Sequence, residues 1–142
     1  MPLSPEQFEV TDADIAEFHE RGYWISPPLL TADEVAGLRE EIMRIMRGEK
    51  DNTTAHWLGV PKLDPKSPRL IQVANGWWVN NKVRWAVSIP IIGAIGAKFM
   101  NTSEVRIWHD QMLYKPGVGP EGKAINDGNV GWHQDAAHWQ IW

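Results

Sequence analysis

The 142 residues predict an α+β domain in which helices come first, strands follow, and the sheet is only beginning near the last residue. Three observations carry this expectation. Capping boxes at Thr11 and Thr31 each open a helical run. Residues 104–115 alternate in the strand manner, and a His-x-Asp pair, His133 and Asp135, follows a Gly-rich loop in what reads as a further strand. The expected organisation is a single domain over 1–142, helical from about 11 to 100, with strands from about 104.

Thr11-Asp12-Ala13-Asp14 has Asp in place of Glu or Gln at the third position of the box, and a short helix should run to about Arg21. Ile15 and Phe18 would face inward, and Gly22 suits a left-handed stop. Tyr23-Trp24-Ile25 is rich in β-formers before Pro27-Pro28, which predicts a short strand. Thr31-Ala32-Asp33-Glu34 is the fuller capping box. Val35, Leu38, Ile42, Ile45 and Met46 then recur at helical spacing until Gly48.

Residues 49–70 are polar and punctuated by Pro61, Pro65 and Pro68, as in a draping loop. Between Asn80 and Met100 the pattern is helical but interrupted at Ile89-Pro90, so two short helices are expected with a break before the proline. From Glu104 to Lys115, Val105, Ile107, His109, Gln111, Leu113 and Lys115 share one strand face. Arg106, Trp108, Asp110, Met112 and Tyr114 share the other. Residues 116–130 form a long Gly-rich loop suited to covering a site.

Composition excludes several classes. A net charge of -4 with scattered Lys and Arg gives no basic patch for nucleic acid or an anionic membrane. Zero Cys removes disulfides, thiolate metal sites and cysteine nucleophiles, and is consistent with the cytoplasm. The opening MPLSPEQFEV is not a secretory signal, and the uncharged stretch Trp85 to Ala97 is too short to span a membrane. Nine Trp suit pocket walls as well as cores, among them Trp77, Trp78, Trp132 and Trp139.

The chemistry rests on His133 and Asp135. On a strand, residues two apart point the same way, so an imidazole nitrogen and a carboxylate oxygen would converge. Those are two of the three ligands of a facial 2-His-1-carboxylate triad for Fe(II). Five His and eight Asp yield roughly 0.3 such pairs by chance, so the bare pair carries little weight without its context.

That context resembles a known family. The segment Trp132-His133-Gln134-Asp135-Ala136-Ala137-His138-Trp139 resembles the metal-binding stretch of the phytanoyl-CoA dioxygenase family, and Val105 through Pro116 resembles the strand that precedes it. The segment Glu17 to Ile25, with the Thr31 helix, is similar to the family's opening, so the likeness runs from about residue 11 onward in the family's order.

The resemblance implies the first strands of a double-stranded β-helix (a jelly-roll, cupin-like architecture) and an Fe(II)- and 2-oxoglutarate-dependent dioxygenase. Such an enzyme uses O₂ to hydroxylate a small organic substrate. It implies iron ligation by His133 and Asp135, with Gln134 and Lys115 toward the 2-oxoglutarate cosubstrate. Asp110 or Gln111 would then support the ligands by hydrogen bonds.

The family's distal iron-binding His and its carboxylate-anchoring Arg would fall beyond Trp142. These residues are therefore expected to be an N-terminal portion with little turnover by itself. His138 has the wrong parity on a strand to replace the missing His, whereas His109 has a suitable face. Two other functions remain open at this point: a non-catalytic interaction module derived from the fold, and a different cupin-like metal enzyme in which His109 joins His133 and Asp135.

Overall fold

Helix α1, Asp12–Arg21, begins where Thr11 and Asp14 cap each other. The Thr11 hydroxyl accepts from the Asp14 N–H, and the Asp14 carboxylate accepts from the Thr11 N–H at 2.8 Å. It stops at Gly22, whose φ of 77° is cheap only for glycine. Helix α2, Ala32–Met46, repeats the device with Thr31 and Glu34, the Thr31 N–H reaching the Glu34 carboxylate at 2.9 Å. Both helices therefore start and stop where the sequence places them. The structure, a computed structural model, describes residues 7–52, 70–115 and 131–135.

The expected break before Pro90 is also present. Helix α3, Asn81–Val87, ends ahead of Ile89, and α4, Pro90–Phe99, takes the proline as its first residue, where a missing N–H costs nothing.

The strands depart from expectation in three places. First, Ile71–Ala74 forms a strand, β1, at the edge of a region read as loop. Four residues are too few for alternation to stand out, but Ile71 and Val73 are both buried. Second, among the described residues the alternating segment 104–115 pairs only over Gln111–Tyr114, strand β2, antiparallel to β1 with Ile71 opposite Tyr114 and Val73 opposite Met112. Before it, the methyl groups of Val105 lie over the small-residue notch of Gly93 and Gly96 on α4. Val105 is still 37% exposed there, and Ile107 and Trp108 beyond it are exposed as well.

Third, Tyr23-Trp24-Ile25 joins no ladder among the described residues. Trp24 turns inward instead, its ring 6.1 Å from Phe8 and 5.2 Å from Phe99, and its indole N–H donates to Asp14 at 2.9 Å. Tyr23 and Ile25 on either side remain exposed. Phe18, 4.7 Å from Phe99, completes an aromatic cluster that docks α1 on α4.

The main core lies between α2, α3 and the two-stranded sheet. It consists of Ile45, Met46, Ile71, Val73, Val79, Val83 and Met112, with Leu38, Ile42, Trp77 and Trp78 packed around it. Ile45, Met46 and Val79 are fully buried, and removing each such residue from water is worth roughly 1.5–3 kcal/mol.

One polar group enters this core. Asn80 is 1% exposed, and its Oδ1 accepts from the N–H groups of Lys82 and Val83 at 2.9 and 3.0 Å, capping α3. Its Nδ2 donates to Glu41 on α2 at 2.7 Å. Glu41 in turn pairs with Arg44 at 2.6 Å, and Arg44 reaches Glu49 and Asp51 at 3.0 and 3.3 Å. The other Asp51 oxygen accepts from the Asn81 N–H at 3.0 Å. A buried amide thus joins two helices through one continuous charge network.

The architecture is mixed: four α-helices and a two-stranded antiparallel sheet among the described residues. No helix among them is long and apolar enough to cross a membrane. The expected covering loop at 116–130 lies outside the described residues, as do His56, His138 and Trp139.

Candidate metal site

His133 and Asp135 do come together, though not by the expected route. Residues 131–135 join no ladder, so strand parity does not aim the two side groups. A local contact does. His133 Nδ1 lies 2.9 Å from the carbonyl oxygen of Gly131. A carbonyl can only accept, so Nδ1 carries the proton, and in the neutral ring the lone pair is left on Nε2.

That nitrogen stands 3.5 Å from Asp135 Oδ1. An acceptor facing a carboxylate oxygen is repulsive unless the imidazole is protonated or a cation lies between them. Metal–ligand distances of about 2.1 Å place two ligands about 3.0 Å apart at a right angle and about 3.4 Å apart at a tetrahedral angle. The 3.5 Å spacing lies near the tetrahedral value and is wider than the right-angle value, and it equally suits a direct ion pair between a protonated imidazole and the carboxylate. A backbone carbonyl bound to the remote ring nitrogen is also the usual arrangement behind a metal-bound histidine.

The rest of a metal centre is not assembled among the described residues. Among the described residues no three of His, Asp and Glu come together around a common point, so His109 does not complete a site with His133 and Asp135. The two side groups are also open to solvent, at 48% and 80% exposure, and Trp132 beside them is fully exposed. Gln134 is exposed too, and Lys115 is exposed immediately after β2. The groove of about 780 Å³ along α2, between Leu30 and Arg47, contains none of these residues.

Three other candidates take structural roles. Asp110 accepts from the N–H groups of Gly76 and Trp77 at 3.1 and 3.2 Å, while its own carbonyl accepts from Asn75 N–H at 2.8 Å. It thereby clamps the 3₁₀ turn Gly76–Trp78 to the start of β2. Trp77 and Trp78 pack edge to face at 5.8 Å against the core, as core residues do. The Trp77 indole N–H is buried with no hydrogen-bond partner among the described residues.

The sequence offered no signal for the Asp110 clamp, because the groups it accepts from lie some thirty-three residues away. The Asn80 cap was locally legible, since Asn before a helical run is a preferred N-cap. No family model, curated protein or solved structure matches these residues.

Proposed function

We propose that this protein belongs to the Fe(II)- and 2-oxoglutarate-dependent dioxygenases related to the phytanoyl-CoA dioxygenase family, acting in the cytoplasm on a small organic substrate. His133 and Asp135 are two of its protein ligands to iron, and Lys115 and Gln134 lie toward the cosubstrate. The β1–β2 pair belongs, in this proposal, to the first part of a double-stranded β-helix.

The observation that supports the reading most is the convergence of His133 Nε2 on Asp135 Oδ1 with Nδ1 occupied by Gly131. It is the protonation and orientation that a metal-binding histidine needs. When bound, iron and 2-oxoglutarate supply the oxidative chemistry that hydroxylates a C–H bond. The protein's own part is narrower. Gly131 holds the tautomer, Asp135 brings negative charge to the same point, and Lys115 offers a cation for a carboxylate.

The test is anaerobic binding of Fe(II), or Co(II) as its spectroscopic surrogate, followed by calorimetry and visible absorption. Weak but saturable binding is expected in the parent protein, lost in His133→Ala and Asp135→Asn and retained in His109→Ala. Metal uptake unaffected by the first two substitutions, or absent from the parent, overturns the proposal.

A further inference from the structure

We propose that Asn75–Gly76 is a latent deamidation site, kept unreactive by the carboxylate of Asp110. The turn after β1 demands both residue types for separate reasons. Position 75 has φ 58° and ψ 39°, a left-handed conformation that asparagine tolerates better than most residues. Position 76 is buried, and a Cβ there would run into the Met112 thioether, so any larger residue must push that side chain aside. Together the two requirements create an Asn–Gly bond, in which an unhindered backbone nitrogen follows a carboxamide.

In the reaction, the Gly76 nitrogen loses its proton and attacks Cγ of Asn75. The new C–N bond closes a five-membered imide as the Cγ–Nδ2 bond breaks and ammonia leaves. Water then opens the ring at one of its two carbonyls, leaving aspartate or isoaspartate at position 75. No redox partner is involved.

The fold opposes the first step twice. With ψ at 39° the Gly76 nitrogen sits nearly anti to Cβ of Asn75, whereas ring closure needs the two almost eclipsed. Rotation toward closure is blocked because the Gly76 N–H is donated to Asp110 Oδ2 at 3.1 Å and the Asn75 N–H to the Asp110 carbonyl at 2.8 Å. Modification would also loosen the turn. A carboxylate at position 75 would sit beside Asp110, and an isoaspartate would insert an extra backbone carbon between β1 and the turn. Either change draws Gly76 away from Asp110 and Met112.

The protein is aged in mildly alkaline buffer, folded or in urea, and position 75 is followed by peptide mapping and mass spectrometry. Asn75 should stay intact in the folded protein over the time that converts most of it in urea. Folded Asp110→Asn should convert about tenfold faster than the parent, or more, as expected for losing a hydrogen bond to a charged acceptor. Equal rates in the folded and urea-treated parent overturn the proposal, as does a folded Asp110→Asn that ages like the parent. Should Asp110→Asn not fold, amide hydrogen exchange in the parent decides. Exchange of the Gly76 N–H at least about a hundredfold slower than in an unstructured peptide supports the clamp, and free-peptide exchange overturns it.

Discussion

Replacing Asn80 by Ala removes the polar group that joins α2 to α3. Two contributions are lost. The cap on the Lys82 and Val83 N–H groups is worth about 1 kcal/mol. The 2.7 Å bond to the Glu41 carboxylate, a hydrogen bond to a charged group, is worth about 1.5–3 kcal/mol. Glu41 retains Arg44, so no carboxylate is stranded, and the sum should lie near 3 kcal/mol. For a protein of this length that corresponds to a fall in Tm of about 10 °C.

Two further substitutions separate the contributions. Asn80→Ser keeps a capping oxygen but is too short for Glu41, so it should lose about 2 kcal/mol. Asn80→Asp keeps the cap yet sets a second carboxylate against Glu41, so it should be destabilised despite being a good capping residue. Urea denaturation followed by circular dichroism measures each difference, with an unchanged m-value showing that stability alone moved. The reasoning is refuted if Asn80→Ala costs less than about 1 kcal/mol, or if Asn80→Asp matches the parent.

Other outcomes follow from the same structure. Hydrogen bonds from Thr11 hold the Asp14 carboxyl below its ordinary pKa, those from Thr31 do the same for Glu34, and those from Arg47 and Arg44 for Glu49. A depressed folded pKa gives stability that is complete above the ordinary carboxylate range and is lost as pH falls through the folded values. Denaturation midpoints should therefore drop on acidification, and Asp14→Asn with Glu34→Gln should flatten that limb. Gly76→Ala should cost about 1–3 kcal/mol by overpacking against Met112, and Met112→Val should restore part of the loss in thermal melts. Gly22→Ala meets no neighbouring atom, so its cost should be the left-handed backbone penalty alone, about 1–2 kcal/mol by the same melts.

What the residues determine by themselves is local. Thr11 with Asp14, Thr31 with Glu34, Gly22 and Pro90 each act within about one helical turn, so α1, α2 and the α3–α4 break could be read directly. The His133–Asp135 pair was legible for the same reason, although the contact that orients it is the Gly131 carbonyl and not strand parity. Tertiary structure decided the rest. Whether Tyr23-Trp24-Ile25 becomes a strand depends on a partner, and Phe99 and Asp14 claimed Trp24 instead. Residues 104–115 alternate throughout, yet among the described residues only four of them pair, with β1, while Val105 leans on α4. A strand is completed by hydrogen bonds to a distant segment, and alternation along it specifies a face without specifying what will cover it.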